Sequence, residues 1–271
     1  MKKLTVGLLL LALLMTWLLW GNTALEVNRW VIENEKIPSS FDGFRIAQVS
    51  DLHNAGFWEE VVDALAELEP DIIVITGDLI DSSKTDVAAA LAFAEEAAEI
   101  APCYYVSGNH EAWSPACWDD LRKGLSRAGI VILDDEKTVL ELEGETVTLL
   151  GLSDPAFGSD QAALLRELTA GEGYTILLSH RPERMALYAE SGIDLVFSGH
   201  AHGGQFRFPF VGGLIAPDQG MFPEYDGGRF ELGDTVMLVS RGIGNSIIPL
   251  RVNNRPELVI AQLKVPVGIS E

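Results

Sequence analysis

The chain has 271 residues, of which 48% are hydrophobic and 8% aromatic, so it is long enough to bury a full core as a single α/β domain. Its formal net charge of −21, without a long basic patch, excludes nucleic acid as a partner, and most of this acidity serves solubility. A phosphorylated substrate would therefore need positive charge from another source, such as bound metal ions.

The two cysteines do not have the CxxC spacing of metal-binding or redox motifs, which excludes a zinc ribbon or a disulfide framework. Cys103 lies in an apolar strand, and Cys117 lies beside Trp118 in a helical stretch. A single disulfide outside the cell and burial as two small hydrophobic side chains both remain open.

Residues 1–24 are predicted to anchor the chain in a membrane. Two lysines precede an uncharged apolar segment, residues 4–20, which as a helix would be roughly 26 Å long, at the short end for a hydrocarbon core of about 30 Å. The bulky Trp17 and Trp20 crowd the only plausible cleavage region, which favours an uncleaved anchor over a signal peptide. The lysines before the span predict a single-pass cell-membrane protein with a cytoplasmic N-terminus and an extracytoplasmic domain, residues 25–271.

The first part of this domain repeats a strand, a loop and a helix, which is typical of parallel α/β sheets. Apolar, β-branched runs predict strands, and apolar residues at helical spacing predict helices. Each of the three strands ends at a short polar motif, namely Asp51-Leu52-His53, Gly77-Asp78 and Gly108-Asn109-His110. The predicted elements are strands over residues 44–49, 71–75 and 104–106, and helices over residues 58–68 and 87–100.

The middle of the chain differs, because residues 138–143 and 146–150 flank Gly144-Glu145 and predict a hairpin, followed by a helix over residues 160–168. The alternation of strands and helices then resumes. Two further strands end at Ser179-His180 and Ser198-Gly199-His200, and residues 203–254 are rich in glycine and proline. The remaining predicted elements are strands over residues 175–178, 195–197, 235–239 and 257–263, and a helix over residues 182–189.

All five histidines of the chain fall inside motifs that follow predicted strands. In open α/β sheets, ligands gather at the carboxyl ends of the strands, so we expect these motifs to form one metal site. Oxygen and nitrogen ligands without a thiolate suit Mn²⁺, Fe or Zn²⁺, and seven ligands are too many for one catalytic ion, so two divalent ions are expected. The candidate ligands are Asp51, His53, Asp78, Asn109, His180, His200 and His202.

The ordered motifs Asp-x-His, Gly-Asp-x-x-Asp, Gly-Asn-His-Glu, a lone His after a strand, and Gly-His-x-His resemble the calcineurin-like metallophosphoesterase family over about residues 41–256. Within it the chain is most similar to the membrane-anchored bacterial phosphoesterases, whose Ser-Gly-His-Ala-His-Gly-Gly-Gln stretch stands at residues 198–205. The resemblance implies an α/β fold of four layers, a β-sandwich covered by helices on both outer faces, behind the N-terminal transmembrane helix.

The resemblance also implies a role for each site residue. One ion would be held by Asp51, His53 and His202, the other by Asn109, His180 and His200, with Asp78 bridging them. A metal-bridging hydroxide would attack phosphorus in line with the leaving oxygen. His110 would stabilise charge or protonate the leaving group, and Asp81 would orient His110. The open alternatives are a ligand or structural role for His110, and a helix N-cap role for Asp81.

The expected function is that of a membrane-anchored, metal-dependent phosphoesterase that hydrolyses phosphomonoesters or phosphodiesters. An anchor places the site near the bilayer, and some anchored relatives act on diacylated sugar nucleotides, so a lipid-linked phosphate or pyrophosphate of the UDP-diacylglucosamine type is the expected substrate class. A metallo-β-lactamase is excluded, because Gly203-Gly204 follow His202 where that class has x-Asp-His. The alternative is a catalytically silent, metal-stabilised module that binds the cell envelope.

Three further features leave two interpretations each. Arg181 and Arg241 are suited to gripping a substrate phosphate through bidentate hydrogen bonds, or to bracing loops. Residues 203–205 either line the site or allow close passage of the backbone. The alternation of Phe206, Phe208 and Phe210 favours packing in the core, although in an anchored enzyme the same loop could meet acyl chains.

Overall fold

The computed structural model describes residues 2–169, 173–245 and 248–266. Its helices are α1 (Lys2–Thr23), α2 (Trp58–Leu68), α3 (Val87–Ile100), α4 (Asn109–Ala112), α5 (Pro115–Arg127), α6 (Gln161–Leu168) and α7 (Met185–Glu190). Its strands are β1 (Glu26–Glu33), β2 (Arg45–Val49), β3 (Ile72–Thr76), β4 (Cys103–Val106), β5 (Val131–Ile132), β6 (Lys137–Leu142), β7 (Glu145–Gly151), β8 (Thr175–Leu178), β9 (Leu195–Ser198), β10 (Arg207–Phe208), β11 (Gly212–Gly213), β12 (Ile215–Ala216), β13 (Gly220–Met221), β14 (Gly228–Leu232), β15 (Thr235–Val239) and β16 (Glu257–Lys264).

The N-terminal helix α1 is long and apolar enough to cross a membrane, judged by length and composition. Its segment Lys3–Thr23 has a mean hydropathy of 2.1, and its residues are not fully buried, with only the last turns in contact with the domain. With 22 residues, α1 extends beyond the predicted segment, and at about 1.5 Å per residue it is about 33 Å long. The helix therefore matches a hydrocarbon core of about 30 Å without the expected shortfall.

Two six-stranded sheets form the centre of the domain. The first has the order β1-β16-β2-β3-β4-β5, and the second has the order β14-β15-β9-β8-β7-β6. Strands β2 to β5 are parallel, as are β7, β8, β9 and β15, so their carboxyl ends lie at one edge of each sheet. Two short hairpins, β10-β11 and β12-β13, occupy the glycine-rich region.

The alternation of side chains along each strand explains how the layers pack. In β2, Ile46 packs in a core between the two sheets, whereas its neighbour Ala47 faces the opposite core. Helices α2, α3 and α5 cover that outer face with Leu65, Phe93 and Leu121 among others. The second sheet is covered in the same way by α6 and α7. The expected four-layer fold, with helices on both outer faces, is confirmed.

Local signals explain where helices α2 and α3 begin and end. Helix α2 begins with two glutamates in its first turn, and it ends at Glu69, which adopts a left-handed φ of 44° just before Pro70. Helix α3 begins after Asp86, whose side chain accepts a hydrogen bond from the backbone N–H of Ala89 at 3.0 Å. Both helices have the predicted bounds.

Several expectations need correction. Strand β1 was not predicted, and the helix expected over residues 182–189 is a 3₁₀ turn, Pro182–Arg184, followed by α7. Core packing is wrong for Phe208, which is 50% exposed, and for Phe210, which is fully exposed. Both cysteines are free thiols, with Cys103 buried and Cys117 partly buried.

Candidate metal centre

The candidate ligands come together at the carboxyl ends of both sheets, and every one of them is buried. Asp51 and His53 follow β2, Asp78 follows β3, and the remaining ligands follow β4, β8 and β9. Five ligands, Asp51, His53, Asp78, His200 and His202, have positive φ values of 45° to 65°. Such conformations are costly for residues other than glycine and cluster at functional sites, where surrounding contacts hold them.

One group of donor atoms consists of Asp51 Oδ1, His53 Nε2 and His202 Nε2. The two ring nitrogens lie 3.2 Å apart, and His202 Nε2 lies 3.3 Å from Asp51 Oδ1. Ligand atoms about 2.0–2.1 Å from one ion lie roughly 2.9–3.4 Å from each other. Facing imidazole nitrogens at this distance therefore have the spacing of ligands around a common cation.

A second group contains His180 Nε2 and His200 Nδ1, and the remaining candidate ligand, Asn109, lies at the start of α4 next to His110, whose backbone N–H contacts Asp78. The two ring nitrogens again lie 3.2 Å apart. Asn109 Oδ1 is buried and has no hydrogen-bond partner within the described part of the chain. A buried acceptor without a partner is costly, so an ion that takes this oxygen as a ligand would satisfy it. The donors of both groups fit a divalent metal ion.

Asp78 lies between the two groups. Its Oδ2 atom is 3.2 Å from His180 Nε2 and 3.6 Å from His53 Nε2, whereas Oδ1 accepts the backbone N–H of His110 at 2.9 Å. One carboxylate oxygen is thus fixed by the backbone, and the other faces both groups. This is the position that a bridging ligand requires.

Contacts outside the two groups orient the rings of three candidate histidine ligands. His180 donates from Nδ1 to the carbonyl of Thr76 at 2.7 Å, so Nε2 is the ring nitrogen that can bind an ion once its own proton is released. His200 is oriented in the opposite sense, because its Nδ1 faces the second group, whereas its Nε2 lies 2.9 Å from both Asp218 Oδ2 and Arg181 Nη1. His53 directs Nδ1 towards Asp81 Oδ2 at 3.7 Å.

The electrostatics of the site also suit cations. Burial lowers the pKa of both His53 and His200 to about 4, so these imidazoles are neutral. Burial would also lower the pKa of His180, but the carboxylates of Asp78 and Asp51 outweigh it and raise that pKa to about 10. The negative charge that attracts a proton to His180 would equally attract a divalent ion, and ligation would release the proton.

His110 and Asp81 lie beside the ligands. The backbone N–H of Ser82 donates to His110 Nδ1 at 2.9 Å, so a neutral His110 carries its proton on Nε2. Its ring centroid lies 4.5 Å from that of His53. Asp81 Oδ1 accepts hydrogen bonds from the backbone N–H groups of Ser83 and Lys84 and thereby holds the turn that presents Ser82.

Glu111 is a site residue to which the sequence analysis gave no role. Its side chain is fully buried and accepts the backbone N–H groups of Asp78, Gly108 and Ile80 at 2.9, 2.8 and 3.2 Å. Burial, together with the charge of Asp78, raises its pKa to about 8, against the three N–H groups that favour the ionised form. A glutamate at the third position of a helix was the available signal, because it often accepts the N–H of the capping residue.

Three arginines surround the centre, and each is engaged. Arg181 makes a bidentate pair with Asp154, at 2.5 and 2.9 Å, and a further pair with Asp218. Arg241 lies 3.1 Å from Glu26 and 3.3 Å from Glu257. These contacts brace loops, which is the second of the two roles considered for Arg181 and Arg241.

Arg251 is the third and was missed by the sequence analysis. It is 1% exposed and donates to the carbonyls of Gly244 and Arg241 at 2.5 and 2.8 Å. Its Nη2 atom lies 3.5 Å from His202 Nδ1. Because Arg251 stands in an irregular segment, no periodicity or motif marked it.

Comparison with known proteins agrees with this geometry. The family model described as calcineurin-like phosphoesterase matches residues 44–204. The metallophosphoesterase YkuE of Bacillus subtilis strain 168 is 30% identical, covering 89% of this chain and 86% of that protein. The phosphodiesterase YaeI of Escherichia coli K12 is 31% identical, covering 81% of this chain and 82% of that protein. The solved phosphopantetheinyl hydrolase PptH of Mycobacterium tuberculosis has a TM-score of 0.50 and 13% identity, covering 73% of this chain and 89% of that chain, which shows a shared fold.

Proposed function

Because this chain belongs to the calcineurin-like phosphoesterase family, whose members are metal-dependent hydrolases, we propose that it hydrolyses phosphoesters at a two-ion site on the outer side of the cell membrane. Residues 1–24 would be the anchor, with a cytoplasmic N-terminus, and residues 25–271 the catalytic domain. The observation that carries the proposal is the position of Asp78 Oδ2 between two pairs of imidazole nitrogens, each pair 3.2 Å apart.

The assignment of ligands follows the two groups. Asp51, His53 and His202 would hold one ion, Asn109, His180 and His200 the other, and Asp78 both. Bound Mn, Fe or Zn ions would supply the positive charge that attracts a phosphoryl group and acidifies an attacking water. The acidic protein has few free cations near the site, since Arg181, Arg241 and Arg251 are engaged.

His110 and Asp81 would serve to protonate the leaving group. His110, with its proton on Nε2, is suited to donate to the leaving oxygen as its bond to phosphorus breaks. Asp81 would position His110 through the turn that presents the Ser82 N–H, and it faces His53 at the same time. In this proposal His110 is a catalytic residue, and Asp81 a positioning residue.

The substrate class we propose is a lipid-linked phosphate or pyrophosphate, of the UDP-diacylglucosamine type. Helix α1 supports it because an uncleaved anchor holds the site close to the bilayer. The relative YaeI bears the name phosphodiesterase, which supports a diester or pyrophosphate bond over a monoester.

The proposal is tested with the full-length chain in phosphatidylcholine nanodiscs, stripped of metal with a chelator and refilled with Mn²⁺. We expect two ions per chain and turnover of bis(p-nitrophenyl) phosphate that depends on them, with slower turnover of p-nitrophenyl phosphate. Two bound ions without turnover of either ester or of a diacylated sugar-nucleotide pyrophosphate would instead support the envelope-binding module.

The loop of residues 206–210 carries exposed aromatic side chains, and we expect it to contact the membrane. Phe208 and Phe210 are exposed. The carbonyl of Arg207, next to Phe208, accepts a hydrogen bond from the side chain of Asn253. Two residues before Asn253, the backbone N–H of Arg251 donates to Asn22 near the end of α1. The loop therefore lies close to the point where α1 leaves the membrane, and we expect its aromatic rings to enter the lipid interface.

A spin label on Phe210→Cys, in a Cys117→Ser background, checks this in nanodiscs. We expect the label to be more accessible to membrane-dissolved oxygen than to a water-soluble nickel complex. The matched control is a label on Val139→Cys, which is 56% exposed on β6, and which we expect to show the opposite preference. Equal behaviour of the two labels would contradict a membrane contact of the loop.

A further inference from the structure

A groove of about 420 Å³ lies between the anchor helix and the loop that carries His53, beside the metal centre, and it has a size typical of ligand sites. One wall is formed by apolar side chains of α1, and the other by the loop after β2 and by residues 249–250. His53, a candidate ligand, is part of the lining through its backbone, and its imidazole is fully buried behind it. The apolar residues that line the groove are Met15, Leu18, Leu19, Ala55, Phe57, Pro249 and Leu250.

The polar residues in the lining are already bonded to the protein. Asn22 accepts the backbone N–H of Arg251 at 2.7 Å and donates to its carbonyl at 3.0 Å. Asn245 Oδ1 accepts from Arg251 Nε at 3.1 Å, and the Thr23 hydroxyl donates to the carbonyl of Leu19 at 3.2 Å. A molecule in the groove therefore meets mainly hydrocarbon until it reaches His53.

The same contacts fix the wall that α1 provides. Both backbone polar groups of Arg251 are bonded to Asn22, and the Arg251 guanidinium lies against His202. The guanidinium of Arg255 lies 4.8 Å from the ring centroid of Trp20. The end of the anchor is thus attached to the segment that also contacts a candidate ligand, so the groove is a built part of the domain.

We propose that this groove binds the hydrocarbon chain of a phosphoester resident in the membrane, with the phosphoryl group at the His53 end. The inference rests on the proposed function and adds the place where the lipid tail binds. One wall of the groove belongs to α1, a helix of membrane-spanning length, so the hydrocarbon chain of a lipid can pass from the bilayer into the groove without crossing water. For each methylene of the lipid chain that is exposed to water rather than bound in the groove, the population of the productive complex would fall about fourfold.

Gly56 offers a sharp test, because it lines the groove, has no positive φ, and a Cβ added there would meet nothing within 4 Å. Gly56→Trp therefore fills the groove without forcing the backbone. The matched control is Gly21→Trp, since Gly21 is equally open but lines a different cavity beside α1.

The substrates are p-nitrophenyl hexadecyl phosphate and p-nitrophenyl ethyl phosphate, presented to the Mn²⁺-loaded full-length enzyme in phosphatidylcholine vesicles. In both, water attacks phosphorus, the bond to the p-nitrophenolate oxygen breaks, and an alkyl phosphate remains. We expect Gly56→Trp to lower the long-chain to short-chain ratio of kcat/KM at least about tenfold, as exposure of two or more methylenes predicts. Gly21→Trp should leave the ratio within about twofold of wild type, because partition of the substrates into the vesicles is unchanged.

A second pair of variants guards against misfolding of Gly56→Trp. Leu250→Asp places a charge on the groove wall, whereas Ile248→Asp changes a side chain of the same 36% exposure that does not line the groove. A ratio that falls only in Leu250→Asp supports the proposal. A wild-type enzyme without chain-length preference, or variants that keep the wild-type ratio, would overturn it while leaving the hydrolase intact. Failure of wild type to cleave even the ethyl ester would overturn the proposed function, and this inference with it.

Discussion

Replacement of Asp78 by asparagine is expected to lower turnover of a phosphodiester at least about 10³-fold, because it removes a carboxylate oxygen that lies 3.6 Å from His53 Nε2 in one group and 3.2 Å from His180 Nε2 in the other. The backbone N–H of His110 donates to Asp78 Oδ1 and would hold an amide oxygen in the same place. The NH₂ group of the asparagine would then point at both ion positions, where it cannot act as a ligand. We therefore expect the number of bound ions to fall from two to one or none, measured by elemental analysis beside the turnover assay.

Asp86→Asn is the matched control for this variant. Asp86 caps α3 through its side-chain oxygen, and asparagine caps a helix about as well as aspartate does. The control should bind two ions and turn over substrate at the wild-type rate. Two bound ions and turnover within about tenfold of wild type in Asp78→Asn would show that the bridging assignment is wrong.

The parts of the site that the sequence predicted are those that immediately follow apolar strands. Asp51 and Asp78 each stand two residues after the end of a largely buried strand, and the carboxyl ends of parallel strands meet at one edge. The pattern of apolar strands therefore predicted both where these residues lie and that they lie close together. The grouping of the ligands into two sets came from the resemblance to a family, since it depends on the order of strands in two sheets.

The parts that the sequence did not predict depend on contacts between distant segments. Strand β1 pairs with β16 from the other end of the chain, and its mixture of polar and apolar residues has no clear period. Asp218 approaches His200 from an irregular loop, as Arg251 approaches His202, and irregular loops carry no periodicity. Glu111 differs, because its place in the first turn of α4 is a local signal that could have been used.

Above pH 8, where Glu111 with its raised pKa of about 8 is ionised, Glu111→Gln is expected to lower the free energy of unfolding by about 1–3 kcal/mol, the cost of one buried N–H group without an acceptor. Three backbone N–H groups donate hydrogen bonds to the Glu111 carboxylate. A glutamine can keep its oxygen towards Asp78 and Gly108, but its NH₂ must then face the N–H of Ile80. The loss is measured by chemical denaturation. The control is Glu145→Gln, because Glu145 also accepts a backbone N–H, from Ser40, but is exposed at the start of β7, at the end of the strand opposite the metal centre.

The same substitution should also weaken the metal centre, although Glu111 would touch neither ion. The hydrogen bonds of Glu111 connect the loop that carries Asp78 to the segment that carries Asn109. These two ligands follow different strands, β3 and β4. Loss of an outer contact of this kind lowers metal affinity or activity by about 10- to 100-fold. If Glu111→Gln lowers stability but leaves Mn²⁺ affinity and kcat/KM within about twofold of wild type, Glu111 supports the fold alone, and the two loops are held together by Asp78 and His110.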